Sequence, residues 1–205
     1  MQIKSLLFFF ILVLFINLLY GCPKKPPEVL PPEKPSFVNP IEKFLKEFSS
    51  VDSFQARTSI RIETERGGEE TNFLLNGILL FQRPNKLRVL GYHPLGMSIF
   101  DALYQNGQLL IFIPFQRRIY EGYDTQFDEI MEKAGEISVK AEREEGAELP
   151  SQIRIEALDI GARIWLRLKD ISLNPVFSEE TFRLDPPEGI EIRSIARLLR
   201  GKKLR

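Results

Sequence analysis

The chain has few of the side chains that catalysis and metal binding use. It contains one cysteine and one histidine in 205 residues. A single cysteine excludes a disulfide within the chain. A Ser/His/Asp triad would have to be built on His93 alone, and a metal site would have only carboxylates as ligands. We therefore expect no enzyme activity, no metal and no cofactor.

An excess of charge of one sign is also missing. The chain has 28 Lys and Arg residues against 28 Asp and Glu residues, so its formal net charge is zero. A basic stripe interleaved with aromatic residues, which nucleic-acid binding proteins commonly carry, does not follow the predicted strands. We expect no nucleic-acid partner.

An apolar run at the start of the chain has the features of a signal peptide. Lys4 supplies a positive charge, residues 6–20 are apolar except for Asn17, and Gly21 is a small residue before the expected cut. The run is shorter than the roughly 20 residues of a transmembrane helix. Residues 19–22, Leu-Tyr-Gly-Cys, resemble a bacterial lipobox. We expect residues 1–21 to be removed and Cys22 to be lipidated; the alternative is an ordinary secretory signal with a chance cysteine.

Residues 22–36 combine the expected lipidation site with a proline-rich tether. Six prolines lie in residues 23–36. Such segments favour extended polyproline II at about 3 Å per residue. Because each buried methylene of an acyl chain contributes roughly 0.8 kcal/mol, two or three chains on Cys22 would hold the protein on a membrane.

The remaining pattern predicts one folded domain over residues 37–195, made mostly of strands. Apolar residues at helical spacing after Pro40 predict a helix over 41–48, and a second helix is predicted over 124–133. The pair Asn106-Gly107 between apolar runs predicts a hairpin. Alternating segments predict about ten strands, the last two over 181–184 and 190–195. So many sequence-adjacent strands predict an α+β, mainly β domain whose large antiparallel sheet curls around a partly hollow, helix-covered face.

Several short segments resemble the LolA/LolB lipoprotein-sorting superfamily. The matching segments are residues 83–88 (RPNKLR), 93–96 (HPLG), 106–107 (NG), 113–114 (IP), 118–120 (RIY) and 182–192 (FRLDPPEGIEI). The resemblance implies an unclosed antiparallel β-barrel of about ten or eleven strands, with a few helices covering an apolar cavity. Since LolA is a soluble carrier and LolB is itself a lipoprotein, the lipobox makes this chain similar to LolB.

The resemblance also implies a function. A LolB-like protein binds the acyl chains of lipoproteins, takes them from a LolA-like periplasmic carrier and passes them into the outer membrane without a cofactor. This chain would then sit on the periplasmic face of the outer membrane. The alternative is a lipid-binding lipoprotein of the same fold that transfers nothing and serves envelope assembly or stress sensing.

Two sets of site residues follow from this hypothesis. The loop Pro94, Leu95 and Gly96 matches the family's membrane-insertion loop, with Leu95 as the exposed leucine; the alternative is that Leu95 packs under its own loop. The expected cavity wall, for which ordinary core is the competing interpretation, consists of Phe73, Leu75, Phe81, Ile99, Leu110, Phe112, Ile155, Trp165 and Leu166.

The chain ends in a basic tail. Residues 193–205 carry six Lys and Arg residues and no acid, and within them residues 196–205 form the tail proper. A basic amphipathic segment of this kind can lie on anionic lipid headgroups or meet an acidic partner. The alternative is a frayed, solvated terminus.

Overall fold

The computed structural model describes residues 39–66, 68–126, 137–157, 159 and 161–195. The predicted signal peptide, the tether, the predicted helix beyond residue 126 and the basic tail lie outside these residues. Within them, no helix is long and apolar enough to cross a membrane.

One α-helix opens the domain, as the apolar spacing predicts. Helix α1 spans Pro40–Lys46. Asn39 caps it, because its side-chain oxygen accepts a 2.9 Å hydrogen bond from the backbone N–H of Ile41. Proline at the first position costs no hydrogen bond, since that N–H has no partner inside the helix. The chain leaves the helix at Glu47, which places Phe48 just beyond its end.

Ten strands form one open sheet, in agreement with the predicted fold class. The strands are β1 (Ser53–Arg66), β2 (Glu69–Gln82), β3 (Lys86–Tyr92), β4 (Ser98–Gln105), β5 (Gln108–Ile113), β6 (Arg118–Tyr123), β7 (Ile137–Glu142), β8 (Gln152–Ala157), β9 (Ala162–Leu173) and β10 (Glu191–Ser194). Their order across the sheet is β10-β6-β5-β4-β3-β2-β1-β9-β8-β7. Because β10 and β7 are not paired with each other, the sheet formed by the described residues does not close.

Hairpins between sequence neighbours account for most of this order. The predicted Asn106-Gly107 hairpin joins β4 to β5, and both residues have positive φ, 52° and 78°. Positive φ at both central positions is the geometry of the two-residue turn that matches strand twist. Every pairing is antiparallel except that of β10 with β6, which is parallel.

The end of the domain differs from the sequence prediction. Residues 181–184 were predicted to be a strand, but Glu179–Phe182 form a 3₁₀ turn on the convex side of the sheet. Two contacts hold this segment: Phe182 is buried against Leu80 and Leu103, and the Thr181 carbonyl accepts a 2.6 Å hydrogen bond from Nη1 of Arg88. Burial of alternate apolar side chains therefore occurs here without strand pairing. The strand predicted over 181–184 is wrong, whereas the strand predicted over 190–195 is present as Glu191–Ser194, paired with Arg118–Glu121 instead of with residues 181–184.

The predicted second helix is described only at its start. Asp124–Gln126 form a 3₁₀ turn after β6. Residues 127–136 lie outside the described part of the chain. The α-helical prediction for 124–133 therefore remains a prediction beyond residue 126.

Candidate functional site

The inner face of the sheet carries rows of apolar side chains that cross several strands. Residues directly opposite one another on paired strands point to the same face. Ile62 of β1 lies opposite Ile164 of β9, Ile164 opposite Ile155 of β8, and Ile155 opposite Val139 of β7. This row, together with its counterparts on β3 to β5, forms a concave apolar surface.

A cavity of about 300 Å³ lies between this surface and helix α1. Its wall is built from apolar and aromatic side chains: Pro40, Ile41, Phe44, Ile60, Ile62, Leu87, Val89, Phe100, Tyr104, Leu109, Ile137, Val139, Ile155, Ile164 and Leu166. Many of them are only half-buried although they face inward. Apolar surface is therefore left available to a guest molecule.

A glycine makes room for one wall of the cavity. Gly91 of β3 lies opposite Phe100 of β4, and a Cβ built on Gly91 would lie 2.3 Å from a carbon of the Phe100 ring. The absence of a side chain on Gly91 therefore lets the ring lie across β3. A substitution at Gly91 would force Phe100 to move, so this glycine shapes the cavity wall.

Among the described wall residues, Tyr104 alone has a side-chain polar atom, and its hydroxyl is already engaged. It donates a 2.9 Å hydrogen bond to Oδ2 of Asp124. Burial, followed by this hydrogen bond, raises the pKa of Tyr104 above its ordinary value, so the hydroxyl stays protonated and remains a donor. The cavity thus offers shape and apolar surface rather than polar recognition.

Helix α1 is held over the cavity at its start by a polar clasp. Asp124 accepts a 3.0 Å hydrogen bond on Oδ1 from Nδ2 of Asn39, the N-cap of the helix. Its Oδ2 accepts the hydrogen bond from Tyr104, and its backbone N–H donates to the carbonyl of Gly107 at 2.9 Å. One carboxylate therefore joins the helix start to β4 and to the end of β6.

The other end of the helix is held mainly by aromatic packing. Phe44 and Phe48 pack against Phe54 and Phe81, with successive ring centroids 4.8 to 5.6 Å apart. Arg143 adds a polar contact, because its Nη2 donates to the carbonyl and to Oε2 of Glu47 at 2.8 and 2.7 Å. The helix thus connects two parts of the sheet. Its start is tied to Asp124 at the end of β6, and its other end packs against Phe54 of β1 and Phe81 of β2.

The structure distributes the nine residues expected at the cavity wall over three locations. Ile155 and Leu166 line the cavity. Leu75, Phe81 and Ile99 belong to, or pack against, the main core beside it. Phe73 lies in the row of Ile62 but at its outer end, where it is 51% exposed.

The remaining three face the convex side of the sheet. Leu110 lies opposite Leu103, which is buried with Leu80 and Phe182 in a separate apolar cluster on that side. Phe112 lies opposite Asp101, and the indole of Trp165 is covered by the guanidinium of Arg61 at 5.5 Å. These three side chains do not line the cavity, because alternation along each strand turns them away from it.

The wall residues that were not predicted from the sequence could have been found from strand pairing and from the apolar stripe of the helix. Val139 and Ile164 lie opposite or next to the predicted Ile155 in the strand register, and Ile41 and Phe44 lie on the apolar stripe of the predicted helix. Pairing β8 with its neighbours and placing the helix stripe over the sheet would have identified them. Tyr104 and Leu109 required the register of the Asn106-Gly107 hairpin.

The loop between β3 and β4 exposes its central leucine. Leu95 is 82% exposed. Pro94 and Gly96 are exposed beside it, and Gly96 has φ 90°, a conformation that favours glycine. The backbone N–H groups of His93 and Gly96 donate to the carbonyls of Met97 and His93 at 2.8 and 2.7 Å, which closes the loop tightly. Leu95 therefore does not pack under its own loop.

Among the described residues, no group of three His, Cys, Asp or Glu side chains is arranged to hold a metal ion. His93 accepts a 3.2 Å hydrogen bond on Nδ1 from the backbone N–H of Leu95, so this nitrogen supports the loop.

Comparison with known proteins found similarity in structure but not in sequence families. No family model and no curated protein matches the chain. A LolA superfamily protein from Nitrosomonas europaea is similar over 71% of this chain and 98% of its own, with 13% identity and a TM-score of 0.42. A DUF1329 family protein from Desulfovibrio piger covers 70% and 95%, with 10% identity and a TM-score of 0.42. A putative outer membrane lipoprotein-sorting protein domain from Vibrio parahaemolyticus covers 70% and 95%, with 10% identity and a TM-score of 0.37.

Proposed function

We propose that this chain is a membrane-anchored acceptor that binds the acyl chains of lipoproteins and passes them into the outer membrane. The observation that carries the proposal is the 300 Å³ cavity under helix α1, whose wall is apolar and whose one hydroxyl is occupied by Asp124. An acyl chain has no polar group to be recognised. A wall of this composition therefore suits it better than it suits a polar substrate.

The volume of the cavity indicates how much of an acyl chain its described walls can hold. An apolar cavity of about 150 Å³ holds a six-carbon ring, so 300 Å³ holds about twelve carbons. At about 0.8 kcal/mol for each buried methylene, a guest of that size gains on the order of 10 kcal/mol before the costs of association. Binding of this strength needs no nucleotide and no metal. Onward transfer requires only that the next environment binds the chain better.

The position of the protein follows from Cys22 in this proposal. Acylation there places the domain on the periplasmic face of the outer membrane, where a LolA-like carrier would deliver cargo. Leu95 then has a role in release, because an 82% exposed leucine on a tight loop can enter the bilayer while the rest of the domain remains in water.

A transfer assay tests this proposal directly. A carrier loaded with a labelled lipoprotein is mixed with the lipidated protein in liposomes, and the label reaching the liposomes is measured. We expect the native protein to take up cargo and to pass it on, and Leu95→Glu to take up cargo but to pass on less. Val176→Glu is the matched control, because Val176 is fully exposed and lies away from this loop. Absence of uptake by the native protein would refute the proposal for that carrier.

A second variant tests whether the cavity is the binding site. Val139→Trp would fill part of the space that Val139 lines on β7. Displacing two methylenes of the guest costs about 1.6 kcal/mol, so we expect roughly tenfold weaker binding of a fluorescent fatty acid. Leu74→Trp is the control, since Leu74 is 64% exposed on the opposite face. Equal binding by both variants would place the guest elsewhere.

A second function is favoured by the size of the cavity. Room for about twelve carbons suits one acyl chain, whereas a lipoprotein carries two or three. A lipid-binding lipoprotein that serves envelope assembly or stress sensing needs only one chain to be held. Uptake of a single-chain lipid without onward transfer of lipoproteins would identify this alternative.

A further inference from the structure

A second loop beside the Leu95 loop exposes a large apolar side chain. The loop between β5 and β6 contains a 3₁₀ turn, Pro114–Gln116, in which Phe115 is 71% exposed. The turn is fixed by a hydrogen bond from the N–H of Arg117 to the carbonyl of Pro114 at 3.0 Å, and by one from the Tyr120 hydroxyl to Oε1 of Gln116 at 3.1 Å. Phe115 is therefore held in solvent by a structured turn.

The strand register places both loops at the same end of the sheet. β3 and β4 are antiparallel, as are β4 and β5, so the end of β3, the start of β4 and the end of β5 lie together. The β3–β4 loop contributes Leu95 and Met97, which are 82% and 60% exposed. Together with Phe115 they lie at one end of the sheet, and we call these three exposed residues the apolar edge.

The cavity wall begins close to this edge. Phe100 lines the cavity three residues after Met97. Ile137, the first residue of β7, and Ile62, near the end of β1, line the cavity at the same end of the sheet. The opposite end is closed by the aromatic packing of Phe44 and Phe48. Among the described residues, a surface that rests on the apolar edge would therefore lie next to the end of the cavity that this aromatic packing does not close.

A positive charge accompanies the apolar edge. Arg117 is exposed directly after the turn, in a left-handed conformation with φ 50°. An arginine beside exposed Phe and Leu side chains suits the interface of a bilayer, where the apolar groups enter the acyl region and the cation meets lipid phosphates.

The chain between Cys22 and the domain is long enough for this edge to reach the membrane of the anchor. The first described residue of the domain is Asn39, which is tied through Asp124 to Gly107, at the end of β4 away from the apolar edge. Asn39 is 17 residues after Cys22. A proline-rich chain of that length reaches about 50 Å, roughly twice the 26 Å that the eight residues of β4 span.

We propose that Phe115, Met97 and Leu95 form a two-loop edge that rests on the bilayer, with Arg117 at the lipid phosphates and the cavity above it. The proposal rests on the proposed anchoring at Cys22, but not on the transfer of cargo. It extends the membrane contact proposed for Leu95 by a second loop, and it defines the orientation of the domain on the bilayer. The β1–β2 hairpin runs toward the same end of the sheet and continues past the Asn76–Tyr92 pair that ends β3, to a tip where Glu69 and Glu70 are exposed. Anionic headgroups repel these carboxylates, so the proposed edge rests on the bilayer in an orientation that keeps the tip in water.

Depth-dependent quenching tests the proposal on the full lipidated protein without cargo. Because Cys22 is the only cysteine and its thiol is acylated, a new cysteine can be labelled selectively with a small fluorophore. The label is placed by Phe115→Cys, Leu95→Cys, Glu69→Cys or Val176→Cys, and the vesicles contain phosphatidylethanolamine, phosphatidylglycerol and a lipid with a nitroxide near the headgroup. Val176 reports the other end of the sheet, because it follows Asn174, which bonds to Ser53 at the start of β1.

We expect the labels at positions 115 and 95 to lose about half of their fluorescence, since an inserted apolar edge lies roughly 5–10 Å deep. The labels at 69 and 176 should keep theirs. Quenching at 95 with none at 115 would overturn the two-loop edge, and equal quenching at all four positions would overturn the orientation. If a transfer assay succeeds while position 115 is unquenched, only this inference fails; if 115 is quenched and no cargo moves, only the acceptor function fails.

Discussion

The two ends of helix α1 are held by different kinds of interaction. At its start, Pro40 and Ile41 line the cavity, and a single carboxylate, Asp124, ties the N-cap Asn39 to the sheet. At its end, Phe48 is fully buried and Phe44 is 6% exposed, both in the main core. The same short helix thus lines the cavity at its start and joins the core at its end, where Phe44 belongs to both.

This difference predicts which end of the helix would move if a guest entered the cavity. Burial of a large apolar side chain contributes about 1.5–3 kcal/mol, and the aromatic end has two such side chains in edge or tilted contact with further rings. The start has hydrogen bonds that exchange with water at a smaller net gain. A guest larger than the cavity would therefore lift the start of the helix while the end stays fixed.

The largest effect is expected from breaking the aromatic end. Phe48→Ala leaves a cavity among Phe44, Phe54 and Phe81, so the free energy of unfolding should fall by about 3–5 kcal/mol. Denaturant unfolding measures it. Phe115→Ala is the control, and its 71% exposure predicts a change within about 0.5 kcal/mol. Equal effects of the two variants would show that the aromatic end does not hold the helix.

Breaking the polar clasp should lower stability less than Phe48→Ala does. It should have a larger effect on access to the cavity. Asp124→Ala leaves the Tyr104 hydroxyl and the Asn39 amide without their partner, which costs about 1–3 kcal/mol. Because the helix start is then released, a fluorescent fatty acid should bind faster than to the native protein. Stopped-flow binding measures the rate. Asp170→Ala is the control, since that carboxylate pairs with Arg57 on the surface. Identical rates for all three proteins would contradict the idea that the clasp limits access.

The sequence was sufficient to predict the elements around the cavity but not all the residues that form its wall. Helix α1 and the Asn106-Gly107 turn follow from local patterns, and local patterns also give the number of strands. Strand β5, in contrast, is an almost continuous apolar run, QLLIFI, in which alternation of polar and apolar residues is hidden. Leu109 lines the cavity and Leu110 faces away, and only the pairing with β4 decides between them.

The contacts that position helix α1 also cannot be predicted from short stretches of the sequence. Asn39 and Asp124 are 85 residues apart, and each is an ordinary cap or turn residue in its own segment. The segment containing Phe182 shows the opposite problem, because its buried apolar residues imitate strand alternation while the chain forms a turn over the convex face. Long-range packing, rather than propensity, decides both cases.

The smallest expected effect is a pH dependence of the free energy of unfolding. It should arise at the start of the helix and not at its aromatic end. The pKa of Tyr104 is raised in the folded protein, first by burial and then by the hydrogen bond to Asp124. Above pH 10, the ordinary value for tyrosine, the unfolded chain loses this proton while the folded protein keeps it. Stability should therefore be unaffected below that pH and should fall above it, by up to about 1.4 kcal/mol per pH unit from this group.

Urea unfolding between pH 8 and 11 isolates this contribution when the native protein is compared with two variants. Tyr104→Phe has no proton to lose at that position, so its stability should fall less steeply above pH 10. Phe48→Leu, at the aromatic end, should lower stability at every pH and leave the slope of the native protein unchanged, because it removes packing and no titratable group. If Tyr104→Phe keeps the native slope, the hydroxyl is not shielded in the folded state, and the start of the helix is already open to water.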